Sequence, residues 1–218
     1  MPFPRLLARA LAPVISLVVP LITVDDVWER LPMVLAPPIF GAGSTRDFRW
    51  YFEGESRVQA GTVDAICEWL LECEYASDPD LFHERDFWQH PGTFERLGQG
   101  DCEDHALWAW RKLVELGMDA ELVCGRWDVT RPDAGGHAWV IFRDRGTEWL
   151  LESVDTARAT MVRPLAEVRA QYRPHVAVNA KFRTTAFAGY LLTLKEERAK
   201  SHAPTGPVAT TARSAPHA

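Results

Sequence analysis

The sequence predicts an α+β chain, with helices first and hairpin-linked strands after them. Three observations lead there. Val63, Ile66, Cys67 and Leu70 recur at helical spacing behind Thr62, a cap residue, with Asp64, Glu68 and Glu72 on the solvated side. Gly98-Gln99-Gly100-Asp101-Cys102 turns straight into a second helical pattern, Ala106, Ala109, Trp110, Leu113 and Leu116, with Arg111, Lys112 and Glu115 on its other side. His137-Ala138-Trp139-Val140-Ile141-Phe142 and Trp149-Leu150-Leu151-Glu152-Ser153-Val154 then flank the turn Asp144-Arg145-Gly146-Thr147 and read as a β-hairpin.

The remaining elements follow in order. Residues 1–45 form an apolar, proline-rich arm. Its run from Leu11 to Val24 superficially resembles a signal peptide but lacks a small-x-small cleavage site and is too short to span a membrane. A packed arm in a cytoplasmic protein is therefore favoured over export through an atypical signal. Residues 46–198 form the main domain. The Arg49-Trp50-Tyr51-Phe52 cluster reads as a short strand or a surface-packing segment. The Ser77-Asp78-Pro79-Asp80 stretch ends the first helix, and Leu81 to Leu97, which has no clean period, reads as a long loop. Beyond the second helix, Ala120 to Trp127 is a strand, Arg131 to Gly136 a loop, Leu165 to Tyr172 a short helix and His175 to Phe182 a strand. Ala186 to Leu194 fits either a strand or a helix, and residues 199–218 have the composition of a disordered tail.

Composition excludes several function classes. The 218 residues are 47% hydrophobic and 25% charged, ordinary for one globular domain, and the net charge of −6 argues against a nucleic-acid partner. Acidic residues crowd Glu53 to Asp104, where the basic residues are Arg57, Arg85 and Arg96; basic ones dominate from Arg158 on. Two solvated faces account for this without a charged partner. The four cysteines, Cys67, Cys73, Cys102 and Cys124, form no Cys-x-x-Cys pair, so neither a zinc ribbon nor an oxidising compartment is required. Oligomeric state is not legible.

Cys102 carries the chemistry. Asp101 is placed to cap the helix, with Asp104 completing a capping-box-like pair, and the first helical turn favours a thiolate. Asp101, Glu103 and Asp104 oppose this, so a reactive Cys102 needs an imidazole beside it. His137 begins a strand behind two glycines. If Arg145 and Gly146 are the two centre residues of the turn, Trp139 lies opposite Glu152, and His137 and Glu152 share a face. A one-residue change in the loop would nominate Asp155 instead. Glu152 is also the odd charge in an apolar strand, and such a carboxylate needs a partner when buried. The Cys102 N–H is a natural oxyanion donor, Gln89 and Gln99 are candidates for the second, and Trp88 is a candidate cleft residue. His105 is expected at solvent or the cleft edge, His83 and His90 in a loop, and Cys67, Cys73 and Cys124 in the core.

Gly100-Asp101-Cys102-Glu103-Asp104-His105-Ala106, Gly136-His137-Ala138-Trp139-Val140 and Trp149-Leu150-Leu151-Glu152 together resemble the three core motifs of the transglutaminase-like superfamily, and most of all bacterial transglutaminase-like cysteine proteinases. The resemblance covers roughly Val63 to Val154. It implies a papain-like α+β core, with a cysteine-bearing helix packed on an antiparallel sheet that carries the histidine and acid. It implies Cys102 as nucleophile, His137 as base and Glu152 as orienting acid, where Asp is commoner in the superfamily. The implied chemistry is attack on a peptide or carboxamide carbonyl to give a thioacyl-enzyme, resolved by water or an amine, with a protein or peptide as substrate. No cofactor is required, although the match at Asp104 allows calcium. Two other classes stay open: a catalytically inactive binding module on the same fold, and a zinc site built from Cys102, His137 and an acid.

Overall fold

The structure is a computed structural model that describes residues 23–31, 35–129 and 135–201. The N-terminal arm to residue 22, most of the Arg131–Gly136 loop and the tail from residue 202 lie outside the described residues. The chain divides into two compact units. The larger, Thr23–Leu192, holds everything discussed below; of the second, residues 1–22 and 193–218, the described part is helical.

In chain order the elements are β1 (Arg30–Leu31), α1 (Val63–Leu71), β2 (Glu74–Tyr75), α2 (Asp78–Leu81), α3 (Pro91–Leu97), β3 (Gln99–Gly100), α4 (Cys102–Glu115), β4 (Asp119–Trp127), β5 (Gly136–Asp144), β6 (Thr147–Leu151), α5 (Arg158–Met161), β7 (Val162–Pro164), α6 (Leu165–Val168), β8 (Tyr172–Asn179), β9 (Thr184–Phe187) and α7 (Ala188–Ser201). The main sheet is antiparallel throughout, in the order β1-β9-β8-β4-β5-β6-β7, and α4 lies against β4 and β5. A two-residue parallel pair, β2 with β3, ties the end of α1 to the approach to Cys102. No described helix is long and apolar enough to cross a membrane.

Local chemistry explains most boundaries. The Thr62 hydroxyl accepts from the Ala65 amide and starts α1. Arg145 and Gly146 both take positive φ, 48° and 83°, the two-residue turn that matches strand twist, and Asp144 pairs with Thr147. The stretch from Leu81 to Leu97 is not all loop. Pro91 opens α3 from a position where no amide is needed, and the His90 Nδ1 accepts from the Gly92 amide as its cap. Phe48–Phe52 is a 3-10 turn rather than a strand, with Phe48 and Tyr51 buried. The ambiguous segment from Ala186 is both, the end of β9 and the start of α7.

The central helix departs most from its pattern. Every residue of α4 from Asp104 to Leu113 is buried, Arg111 and Lys112 included. The Arg111 guanidinium donates to the Tyr51, Glu53 and Gly54 carbonyls at 3.2, 3.1 and 2.6 Å. Lys112 reaches the Val58 carbonyl at 2.7 Å and Glu95 at 3.5 Å. A charge this deep persists only when it is paired and hydrogen-bonded. These two side chains therefore strap residues 51–58 over the face that a two-sided reading of the helix leaves to water.

Candidate active site

Cys102 begins α4, where the chain turns at Gly100. A Cβ on Gly100 would lie 2.5 Å from Asp104 Oδ2 and 2.8 Å from Gln89 Nε2, so only glycine fits between them. Asp101 holds the N-cap position, but its side chain makes no cap bond, and Asp104 does not complete a capping box. Asp104 instead accepts from the Gln89 amide at 2.8 Å and from the Gln89 side-chain nitrogen. The Cys102 thiol donates to Glu103 Oε2 at 3.2 Å, and the Ala138 amide of β5 donates toward the sulfur. Burial first, then the Glu103 and Asp101 carboxylates, push this thiol well above its ordinary range.

His137 sits at the start of β5. Its Nε2 lies 3.0 and 2.9 Å from the two Glu152 carboxylate oxygens. An ionised carboxylate only accepts, so Nε2 carries the proton and Nδ1 is the basic nitrogen. The hairpin register produces this pair: Val140 faces Leu151, and the next step sets Glu152 opposite Trp139, two residues along from His137 on one face. Glu152 lies just past β6, its amide fixed to the Met161 carbonyl at 2.7 Å. The Tyr172 hydroxyl donates to Glu152 Oε2 at 2.9 Å. The Trp139 ring lies 6.0 Å from the His137 ring and 5.0 Å from that of Tyr172, and the exposed Trp127 ring also lies 6.0 Å from His137.

Cys102 and His137 line one cleft of about 380 Å³, with Trp88, Glu103, Cys124, Arg126, Ala138 and His175 among its other walls. The alternation of β5 turns Ala138 toward the α4 side of the sheet and His137 toward the other. Both residues line the cleft at the start of β5, where the Ala138 amide donates toward the sulfur. The described hydrogen bonds include none between Cys102 and His137.

Other expected residues are placed elsewhere. Asp155 accepts from the Ala157 amide in the turn after β6 and has no described contact with His137. Gln89, 1% exposed, donates to the Gln99 carbonyl and to Asp104, and the Gln99 side chain donates to Glu74 at 2.7 Å; neither glutamine lines the cleft. Trp88 does. His105 is buried rather than exposed, with Nδ1 on the Asp101 carbonyl at 2.9 Å, and burial pushes it down to about 4, which keeps it neutral. His90 is the α3 cap and His83 lies in an exposed turn beside the Pro79 carbonyl. Cys67 is in the core, Cys73 is half-buried, and Cys124 is a cleft wall as well as a core residue.

Sequence reasoning sets Asp101, Glu103 and Asp104 around the cysteine but misses Asp78 and Asp86, which complete a carboxylate cluster there. Single oxygens of Asp78, Asp101 and Asp104 come within 4.8 Å of one another, as do those of Asp78, Asp86 and Glu103. Asp78 Oδ1 and Asp101 Oδ1 are buried without a hydrogen-bond partner. Burial, reinforced by the neighbouring carboxylates, raises Asp78 to about 6, Asp104 to about 8 and Glu103 to about 10. Asp78 is visible in the sequence only as part of a helix-stop signal, and no signal marks Tyr172.

Residues 86–185 match the family described as the CEP76 peptidase-like domain. No curated protein matches the chain. Among solved structures the chain is similar to Legionella pneumophila LapG, at 20% identity over 58% of this chain and 65% of that one, with a TM-score of 0.45. The calcium-bound form of LapG is 18% identical over 81% of this chain and 87% of that one, with a TM-score of 0.45. Its EGTA-treated form is 19% identical over 53% and 60%, with a TM-score of 0.42. A cysteine-led helix packed on an antiparallel sheet, matched over its core by a peptidase-like family, is the α+β transglutaminase-like, cysteine-peptidase-like fold.

Proposed function

We propose that the protein is a thiol-dependent peptidase or amide acyltransferase, acting on a protein or peptide, with Cys102 as nucleophile, His137 as base and Glu152 as the acid that orients it. The observation that carries this reading is the His137–Glu152 pair, which leaves Nδ1 basic in the cleft that Cys102 also lines. The match to a peptidase-like family supports it.

In this mechanism His137 Nδ1 takes the thiol proton and Cys102 Sγ bonds to the carbonyl carbon. The Cys102 N–H at the helix start faces the oxyanion. The C–N bond then breaks, and the imidazolium returns its proton to the leaving amine, which leaves a thioester. Water or a second amine, deprotonated by His137, attacks the thioester and releases Cys102. Glu152 stabilises the imidazolium in both halves of the cycle, and the Trp127 and Trp139 rings pack near that of His137.

The carboxylates fit a hard divalent cation. Two buried, unpartnered oxygens of Asp78 and Asp101 beside Asp104 are a poor arrangement for protons alone and an oxygen-rich one for calcium. Asp78, Asp101 and Asp104, with Asp86 and Glu103 adjoining, would hold it. Bound there, it would offset the Glu103 and Asp101 charges that hold the Cys102 thiol protonated. The zinc reading is weaker, because the closely spaced ligand groups among the described residues are carboxylates, without Cys102 or His137.

One observation favours a second reading, a non-catalytic binding module: the thiol donates to Glu103 and is held protonated. Iodoacetamide separates the two. Labelling of Cys102 faster than Cys67, Cys73 and Cys124 by tenfold or more, in calcium, supports the enzyme, whereas equal and slow labelling supports the module.

A further inference from the structure

Glu152 is longer by one methylene than the aspartate commoner in this role, so its carboxylate has one more bond about which to swing. Its side chain has two described partners, His137 and Tyr172. We propose that Tyr172 is a positioning residue of this site: its hydroxyl pins the Glu152 carboxylate in the orientation that grips His137. The inference rests on the catalytic roles proposed above.

The fold places Tyr172 there through a β-bulge. On β8, Val176 pairs with Cys124 and Pro174 with Gly125, so His175 is an extra residue in the ladder. Val176 and Val178 pack in the cluster on the α4 side of the sheet. Four residues from Val176, regular alternation would turn Tyr172 to that same side. The extra residue reverses the alternation, and Tyr172 joins Val123, Trp139 and Ala177 on the face of His137. Gly125 permits the bulge, since a Cβ there would lie 2.2 Å from the Arg173 carbonyl oxygen. At 5% exposure, with the Trp139 ring packed 5.0 Å from its own, Tyr172 has little freedom to move. A rigid aromatic stem thus presents one donor to a flexible carboxylate. Burial and the Glu152 charge hold the phenol protonated, as a donor must be.

Tyr172→Phe removes the donor and keeps the packing. In the calcium-loaded full chain at pH 7, it should slow iodoacetamide labelling of Cys102 about tenfold, with a thermal midpoint close to that of the wild type. In a Glu152→Gln background the same change should alter the rate less than twofold, because a residue that acts through Glu152 has nothing left to position. Equal slowing in both backgrounds, or none in the first when wild-type Cys102 labels faster than the other cysteines, overturns the proposal. A second readout does not depend on thiol reactivity. In 15N-histidine-labelled protein, the His137 Nε2–H proton should be sharp and downfield in the wild type and broadened or lost in Tyr172→Phe. If it persists unchanged, Tyr172 positions nothing. If it is lost while wild-type Cys102 labels no faster than the other cysteines, the positioning role stands and the nucleophile reading falls.

Discussion

The Cys102 thiol donates to Glu103 Oε2 at 3.2 Å, while His137, in the same cleft, is held by Glu152. The proposed nucleophile and base therefore line one cavity, but the sulfur is engaged by an acid cluster that keeps its proton on. The cluster decides whether the thiol is available, and its neutralisation is the central variable in the predictions that follow.

Calcium removal should change stability with a definite sign. Asp104, at about 8, and Glu103, at about 10, titrate above their unfolded range, so the folded protein holds protons that the unfolded chain has already lost. Their stabilisation is complete below the unfolded carboxylate range and is lost as pH rises through the folded values. His105 and His175, both lowered to about 4 by burial, act in the opposite sense, but only below their unfolded value near 6.5. Between pH 7 and 9 the carboxylates act alone among these groups. The thermal midpoint in EGTA should fall by several degrees over that window, at about 2–4 °C per kcal/mol for a chain of this size. Excess calcium should raise the midpoint and flatten the slope; scanning calorimetry reads both.

Gly100→Ala should disturb the same cluster from the backbone. The added methyl meets Asp104 Oδ2 and Gln89 Nε2, so the Gln89–Asp104 pair must part and leave buried polar groups unmatched, at about 1–3 kcal/mol. The variant should unfold earlier and bind calcium at least tenfold more weakly by titration calorimetry. Wild-type affinity in this variant would dissociate Asp104 from the cation.

Glu152→Gln should lower Cys102 labelling about 10- to 100-fold with the fold intact by circular dichroism. The amide can still bond to His137 but cannot stabilise an imidazolium. Asp155→Asn should change the rate less than twofold, because its carboxylate serves the Ala157 amide.

Lys112→Ala tests the scaffold rather than the site. Lys112 is buried against a buried Glu95, whose oxygens also take Trp108 and the Arg57 amide. Removing the cation strands an acid in the core, at about 3–5 kcal/mol. Urea denaturation should show that loss, and Glu95→Gln in the Lys112→Ala background should recover part of it.

What the sequence makes legible is whatever depends on local chemistry or on counting. The two-residue turn at Arg145-Gly146 fixes the hairpin register, and with it the approach of His137 to Glu152, by arithmetic alone. The Gly-x-Gly-Asp-Cys turn announces the helix at Cys102. Long-range features stay hidden. The burial of Arg111 and Lys112 depends on a segment fifty to sixty residues earlier wrapping over them. Gln89 reads as an oxyanion candidate because nothing in a linear pattern shows Asp104 claiming its amide. Tyr172 is invisible because the sequence reads as a helix up to it and a strand only from His175, whereas Tyr172 opens β8 and the extra residue at His175 sets its face. The α3 helix is short and carries no apolar period, so it reads as loop until His90 and Pro91 are recognised as its cap and first turn.

The most direct measurement is competitive iodoacetamide labelling with mass-spectrometric readout of all four cysteines, in calcium, for the wild type and His137→Ala. Cys102 should label at least tenfold faster than Cys67, Cys73 and Cys124 in the wild type and lose that advantage in His137→Ala. Cys102 reacting no faster than the other cysteines, or equally fast without the imidazole, would contradict this.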